Sequence, residues 1–338
     1  MTGVGGQVPD DGLVTIEAIR AAAATIRGIA LRTPLVAFGD PARRRLLKAE
    51  SLQPIGAFKI RGAYVAIASL SPTERTRGVI TYSSGNHAQG VARAARLLGA
   101  PVVVVMPSDA PAIKRDRVAA DGAQILVVGT ASEERQELAE SIAAERGLSI
   151  IPPYDDDRII AGQGTIGLEV VEDLPDLACL LVPIGGGGLA SGVATAIKAL
   201  RPQARVIGVE SELAADAQES LTRGEIVRWP AELVSRTIAD GTRTQALGAR
   251  TFAHLRTHLD GVITVSEAEI AAAVRLAAER ARLVVEPSGA LSLAAMAFHG
   301  GELGLTGLAG SVVAVISGGN VDPERYRELL GSPIPTEH

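Results

Sequence analysis

A lysine stands alone in an apolar stretch early in the chain. Residues 53–63 read QPIGAFKIRGA, which places Lys59 between Phe58 and Ile60. An apolar enclosure disfavours the ammonium form of lysine, and the neutral amine is a nucleophile that can bond to a carbonyl carbon. Lys59 is therefore a candidate for covalent chemistry. The alternative is a long side chain whose charged end reaches water.

A run of four glycines forms a second candidate site. Residues 183–192 read PIGGGGLASG, after an apolar strand pattern and before a helical one. Consecutive glycines let backbone N–H groups approach an anion, and the start of a helix adds a favourable dipole. This pattern predicts a phosphate site, whose residues are Gly185, Gly186, Gly187, Gly188 and Leu189.

The predicted phosphate fits more than one cofactor. Gly186, Gly188 and Gly192 form G-x-G-x-x-x-G, and the next strand, RVIGVE, ends at Glu210. A dinucleotide-binding fold places its ribose-binding acid near this position. A nicotinamide cofactor is thus one candidate, and because a glycine-rich loop alone is a weak signal, other motifs must decide.

Strands and helices alternate around these motifs. Apolar runs such as PVVVVMP (101–107) and ACLLVPI (178–184) predict buried strands, and the segments between them predict helices. The alternation indicates an α/β fold whose doubly wound parallel sheets carry helices on both faces. Residues 78–153 contain three strand–helix units, which predicts a small domain inserted into a large one made of residues 1–77 and 154–338.

Composition excludes several function classes. A net charge of -5 and a pI near 5.7, with no basic stripe, argue against nucleic-acid binding. The apolar runs are too short to cross a bilayer, and MTGVGGQVPDDG lacks the pattern of a secretion signal. We expect a cytoplasmic enzyme that acts on a small molecule, with neither nucleic acid nor a membrane as partner.

Several motifs together resemble one family. QPIGAFKIRGA, SSGNHAQGVA (83–92), PIGGGGLASG and SGGN (317–320) occur in the order found in fold-type II pyridoxal-phosphate enzymes. The match continues through IAGQGTIGLEV (160–170), TIADGTR (237–243) and VVEPSGA (284–290). The chain resembles the threonine/serine dehydratase and serine racemase family, and its short catabolic members in particular.

This resemblance implies a tryptophan synthase β-like fold and a site for pyridoxal 5'-phosphate. Lys59 would bond covalently to the cofactor, and residues 185–189 would hold its phosphate. Phe58 would pack near the ring, Asn86 would hydrogen-bond the phenolic oxygen, and Ser317 would face the pyridine nitrogen.

The resemblance also implies a substrate site. The residues of its carboxylate-binding loop would be Ser83, Ser84, Asn86 and His87. Ser84 either binds only the carboxylate or also moves a proton on the face opposite Lys59, which would permit racemisation. Arg135 either pairs with a second substrate carboxylate, as in hydroxyaspartate, or is a surface arginine.

A divalent cation, Mg²⁺ or Ca²⁺, is a further implication of the resemblance. In ESELAAD, the family spacing assigns it to Glu210, the carbonyl of Ala214, and Asp216. Hard oxygen ligands suit these cations. The alternative is a solvated acidic junction between a strand and a helix.

Three residues depart from the family pattern. Ile55 and Ala57 stand where the family has hydroxyl side chains, and Tyr154 stands where the racemase has a polar amide. These differences leave the identity of the substrate open and weaken a strict racemase interpretation.

The expected reaction is β-elimination from an L-threonine- or L-serine-type substrate, which yields a 2-keto acid and ammonia. Lys59 would take the α-proton, and the cofactor phosphate would be the acid for the leaving hydroxyl. Serine racemase and 3-hydroxyaspartate dehydratase activities are alternatives with the same chemistry, and a nicotinamide-dependent dehydrogenase is a remote one. The resemblance implies a homodimer.

Overall fold

The computed structural model describes residues 12–40, 42, 44–83, 85–108, 110, 112–129 and 132–336. Within these residues the strands are β1 (Leu35–Ala37), β2 (Arg45–Ala49), β3 (Val79–Tyr82), β4 (Val102–Pro107), β5 (Gln124–Val128), β6 (Ser149–Ile150), β7 (Leu177–Pro183), β8 (Arg205–Ser211), β9 (Gly261–Val265) and β10 (Ser311–Ile316).

The helices pack on both faces of the sheets formed by these strands. They are α1 (Ile16–Thr25), α2 (Ile60–Ala68), α3 (Pro72–Arg77), α4 (Asn86–Leu98), α5 (Ala112–Ala120), α6 (Ser132–Arg146), α7 (Asp157–Asp173), α8 (Gly188–Leu200), α9 (Asp216–Arg223), α10 (Ala231–Val234), α11 (Ala249–His258), α12 (Glu267–Leu276), α13 (Pro287–Phe298) and α14 (Pro323–Leu330).

The strands form two sheets. One has six strands in the order β1-β2-β10-β7-β8-β9, and the other has four in the order β5-β4-β3-β6. The four-stranded sheet uses a continuous segment, whereas the six-stranded sheet takes strands from both sides of that segment. This topology matches the predicted insertion of one α/β unit into another, while the boundaries at 77/78 and 153/154 stay predictions.

One edge of the larger sheet differs from the predicted parallel pattern. Strand β1 pairs antiparallel with β2, whereas the other strand pairs of both sheets are parallel. Only residues 38–44 connect β1 to β2, which is too few for the crossover that a parallel pair needs. The short β1 carried no sequence signal strong enough to predict it.

Helices α2 and α8 both pack closely against α7. A Cβ atom on Gly162 would lie 2.5 Å from the Cα of Gly62, and one on Gly192 would lie 2.1 Å from the carbonyl oxygen of Ile160. These positions therefore accept only glycine. The close contacts bring the N-terminal ends of α2 and α8, which carry the lysine and the glycine run, into one region of the molecule.

A buried set of ion pairs fixes α2 against β2 and α7. The fully buried guanidinium of Arg61 donates to Glu50 Oε2 at 2.8 Å from Nε and to Glu169 Oε1 at 2.7 Å from Nη1. Lys48 Nζ lies 2.6 Å from the second oxygen of Glu169. Because Arg61 follows Lys59 by two residues, this network also sets the position of Lys59.

The part of the chain that the structure describes contains no helix with the length and apolar character needed to cross a membrane.

We expect Arg61→Met to lower the free energy of unfolding by about 3–5 kcal/mol, because it leaves Glu50 buried without its cationic partner. Urea denaturation of the holoenzyme measures the change. Arg32→Met is the matched control: Arg32 also binds α7, through Glu172 and Asp173, but its side chain is half-exposed, so its loss should cost about 1 kcal/mol or less. Equal stability of the two variants would contradict a central role for the buried network.

Candidate active site

A cavity of about 350 Å³ brings the predicted motifs together. The sequence-predicted residues that line it are Phe58, Lys59, Ser83, Asn86, His87, Arg135, Gly185, Gly186, Gly187, Gly188, Leu189 and Ser317. Ser84 lies outside the described residues. The remaining predicted residues, those of the cation site, do not line this cavity.

Lys59 stands immediately before α2 and points into the cavity. Its Nζ donates to the carbonyl oxygen of Pro153 at 2.7 Å and lies 5.1 Å from the centre of the Phe58 ring. Burial lowers the pKa of Lys59 to about 8. About a tenth of the amine is therefore neutral at pH 7, far more than for a lysine with an ordinary pKa, and the neutral form is the one that a nucleophile or a base requires.

The glycine run connects β7 to α8 and bounds one side of the cavity. Gly187 has a left-handed backbone with φ 93°, and a Cβ on Gly186 would lie 2.2 Å from the Cδ1 atom of Tyr154. Within the described part of the chain, the five N–H groups of residues 185–189 have no hydrogen-bond acceptor. These donors at the start of a 13-residue helix fit a phosphate group.

Ser317 lies beside Lys59 at the end of β10. The N–H of Phe58 donates to the carbonyl oxygen of Ser317 at 3.1 Å, and Ala57 bridges to Gly318. The hydroxyl of Ser317 is buried and uncharged. A pyridine nitrogen placed against it would meet a neutral partner.

Asn86 begins α4, and its side chain is fixed at both ends. Its Nδ2 donates to Glu286 Oε1 at 2.6 Å, and its Oδ1 accepts from Asn320 Nδ2 at 2.8 Å. The second Nδ2 hydrogen stays available for a ligand oxygen. Burial, followed by the nearby charge of Asp240, raises the pKa of Glu286 to about 8. Sequence reasoning assigned no role to Glu286, although it lies in the VVEPSGA match.

His87 lies in the predicted carboxylate loop, but its ring hydrogen-bonds to the protein backbone. Its Nε2 donates to the carbonyl oxygen of Ile151 at 3.0 Å. Burial, and then the charge of Lys59, lowers the pKa of His87 to about 3, so the ring is neutral and Nδ1 carries no proton. This geometry favours loop ordering by His87 over the carboxylate contact that the resemblance implies.

Basic side chains line the outer part of the cavity. Arg135 of α6 faces it, as the hypothesis of a second carboxylate requires, and Lys114 of α5 forms an ion pair of 2.7 Å with Asp240. Arg228 also lines the cavity, and no sequence motif had indicated it.

The predicted cation residues lie where β8 meets α9. Glu210 accepts from the N–H groups of Ala217 at 3.1 Å and Gln218 at 2.8 Å, and thus caps α9. Asp216 is buried, and its Oδ2 has no partner among the described residues. Burial raises the pKa of Asp216 to about 7, and burial together with Asp216 raises the pKa of Glu210. An unpartnered oxygen beside a second buried carboxylate fits a hard divalent cation, although the described residues contain no group of three or more acidic, His or Cys ligands.

Comparison with known proteins identifies the family. The model of the family described as "Pyridoxal-phosphate dependent enzyme" matches residues 26–318. L-threo-3-hydroxyaspartate ammonia-lyase of Saccharomyces cerevisiae is 45% identical over 84% of this chain and 85% of its own. L-threonine ammonia-lyase of Thermotoga maritima is 42% identical over 95% of this chain and 79% of its own.

A solved structure supports the same assignment. Maize serine racemase superposes with a TM-score of 0.88 at 36% identity, over 94% of this chain and 97% of its own. The nicotinamide alternative finds no support in these matches. Because the family model spans most of the chain and the relatives align along most of their own length, the chain belongs to the pyridoxal-phosphate dependent enzymes of fold type II.

Proposed function

We propose that the protein is a pyridoxal-phosphate-dependent ammonia-lyase. It would convert L-threonine- or L-serine-type hydroxy amino acids to a 2-keto acid and ammonia by β-elimination. The observation that carries this proposal is the amine of Lys59, buried with a lowered pKa, in one cavity with a glycine phosphate cradle and a neutral serine. The names of the relatives, ammonia-lyases acting on threonine and 3-hydroxyaspartate, support it.

Bound pyridoxal phosphate supplies an electron sink for the substrate α-carbon. Residues 185–189 hold the phosphate through backbone N–H groups, and Asn86 orients the ring through its remaining Nδ2 hydrogen. Lys59 would accept the α-proton as its neutral amine, a form that the lowered pKa makes more accessible. The hydroxyl of Ser317 would give the pyridine nitrogen a neutral partner in place of a carboxylate, and such a partner favours elimination.

A specific observation favours a second substrate, 3-hydroxyaspartate. Arg135 lines the cavity, and a guanidinium there can pair with the carboxylate that this substrate carries at its β-carbon. Racemisation depends on a proton donor on the face opposite Lys59. Ser84 is the candidate from the sequence, and that role stays a prediction.

Release of a 2-keto acid tests the proposal directly. The reconstituted enzyme should release it from at least one of L-threonine, L-serine and L-threo-3-hydroxyaspartate. If Arg135 binds a second carboxylate, Arg135→Met should lower kcat/KM at least about tenfold for hydroxyaspartate and little for threonine, as expected for the loss of a charge-assisted hydrogen bond. Arg146→Met, an exposed site on the same helix, is the control. No keto acid from any of these substrates, in either enantiomer, would refute the proposal.

We further propose that Glu210, Asp216 and the carbonyl of Ala214 hold Mg²⁺ or Ca²⁺, with water completing the shell. The buried Oδ2 of Asp216, which has no hydrogen-bond partner in the part of the chain that the structure describes, supports this site. The cation would also neutralise two carboxylates that otherwise repel each other at the start of α9.

Removal of the cation should destabilise the protein. Chelation is expected to lower Tm, and Mg²⁺ or Ca²⁺ should restore it, because a ligand that binds only the folded state stabilises it. In Asp216→Asn this response should be lost, whereas Glu212→Gln, at an exposed neighbouring carboxylate, should keep it. An unchanged Tm after chelation of the wild-type protein would contradict the proposal that a cation binds at this site.

We propose that the protein is cytoplasmic and forms a homodimer. Leu52 and Val284 are exposed apolar side chains. Gly319 lies close to both segments, because a Cβ atom on it would be 3.0 Å from the Cβ of Ser51 and 2.5 Å from the carbonyl oxygen of Val284. Exposed apolar side chains in one region of the surface suit contact with a second copy.

A further inference from the structure

A buried hydroxyl group on α11 holds the backbone of the glycine run from outside. Thr251 Oγ1 donates to the carbonyl oxygen of Gly186 at 2.8 Å. Thr251 is fully buried, and a Cβ atom on Gly187 would lie 2.8 Å from the Cβ of Thr251. The glycine run therefore lies directly against this side chain, and no motif of the sequence indicated the contact.

The hydroxyl proton of Thr251 is best placed for Gly186. The carbonyl oxygen of Gly248 is a second acceptor, at 3.1 Å from Oγ1, but it already accepts from the N–H of Phe252 at 2.9 Å. The N–H of Gly248 in turn donates to Oγ1 at 3.0 Å. Oγ1 thus accepts one hydrogen bond and donates its own proton to Gly186, which is the shorter contact.

The main chain of Thr251 is itself held on two sides. Asp155 Oδ1 accepts from the N–H groups of Arg250 at 2.9 Å and Thr251 at 3.1 Å, and so caps α11. A Cβ atom on Gly248 would lie 2.0 Å from the Cγ of Asp155, so the cap needs a glycine there. Ser191 Oγ of α8 donates to the carbonyl oxygen of Thr251 at 3.3 Å. These contacts give the Thr251 hydroxyl a defined place beside the glycine run.

The contact with the Gly186 carbonyl sets the direction of an N–H group. This carbonyl and the N–H of Gly187 belong to one planar trans peptide, in which the two groups point in opposite directions. Because the carbonyl points to α11, the N–H of Gly187 points away from that helix and is left for an anion in the cavity that both glycines line. Neither glycine has a side chain to restrict rotation of this peptide, so an external hydrogen bond must fix it.

We propose that Thr251 is a positioning residue for the phosphate cradle formed by residues 185–189; this inference rests on the cradle assigned in the proposed function. Its hydroxyl holds the peptide between Gly186 and Gly187 in the orientation that offers an N–H to a phosphate group. It acts through the backbone and not by contact with the ligand. Without the hydroxyl, this peptide can rotate and turn its carbonyl oxygen, which repels an anion, toward the phosphate.

The test compares two forms of the cofactor on the apoenzyme. Pyridoxal 5'-phosphate uses the cradle, whereas pyridoxal lacks the phosphate. In Thr251→Val, a methyl group replaces the hydroxyl. The dissociation constant of pyridoxal phosphate should then rise at least about tenfold, as expected for the loss of a buried hydrogen bond, and that of pyridoxal should stay within about twofold of wild type. Spectroscopic titration measures both constants. Thr251→Ser keeps the hydroxyl and should restore the wild-type values.

Thr195→Val is the matched control. Thr195 is also buried, but its hydroxyl donates to the carbonyl oxygen of Ser191 within α8 and not to the glycine run. This variant should keep the wild-type constants for both ligands. Inorganic phosphate gives a second measurement: it should raise the Tm of the wild-type, Thr195→Val and Thr251→Ser apoenzymes, and raise that of Thr251→Val less, because a ligand that binds only the folded state stabilises it.

Equal losses of affinity for pyridoxal phosphate and pyridoxal in Thr251→Val would indicate general damage to the site and overturn the proposal. So would an unchanged preference for the phosphorylated form in Thr251→Val, or a loss in Thr251→Ser as large as in Thr251→Val. If the wild-type apoenzyme binds pyridoxal phosphate and pyridoxal equally well, the cradle of the proposed function is wrong, and the role of Thr251 falls with it.

Discussion

The buried ion pairs of Arg61 are the constraint on which the active site depends. Two cations, Arg61 and Lys48, face two carboxylates, Glu50 and Glu169, with almost no access to water. Removing one partner from such a group is costly, so α2 has one favourable position against β2 and α7. Lys59 stands at the start of that helix, and its amine is thereby held in the cavity where burial lowers its pKa.

Glycine makes the rest of the site possible by permitting close approach. The contacts of Gly62, Gly162 and Gly192 bring α2 and α8 onto α7, and Gly186 makes room for the ring of Tyr154. In consequence the lysine, the phosphate cradle and the phenol meet in one small volume although they lie far apart in the sequence. The close packing also explains why a chain with few aromatic residues can form a well-defined cavity from backbone and short side chains.

Much of this arrangement was predictable because local signals agree with the fold. Thr15 caps α1 and Gly99 ends α4 in the left-handed region, as their types suggest. The continuous apolar runs became buried parallel strands. Strand β1 was not predicted, because three residues at a sheet edge carry little pattern, and its antiparallel pairing follows from the length of the loop to β2.

The candidate site was predictable where a motif is contiguous and less so where it is assembled in space. Lys59 and the glycine run each lie in one segment, so the sequence indicated them. Glu286 orients Asn86 from 200 positions away, and no spacing rule could connect them. The neutrality of His87 depends on its burial and on the nearby Lys59, which is visible only in three dimensions.

The reactivity of Lys59 toward an aldehyde tests the central claim most directly. The apoenzyme is mixed with pyridoxal between about pH 6.5 and 10.5, the range that spans a lowered and an ordinary lysine pKa. Adducts are then reduced with borohydride and located by peptide mass spectrometry. The account predicts adduct at Lys59, with an initial rate that rises with pH and levels off above about 8. Modification mainly at Lys48, Lys114 or Lys198, or a rate at Lys59 that still rises beyond pH 10, would contradict it.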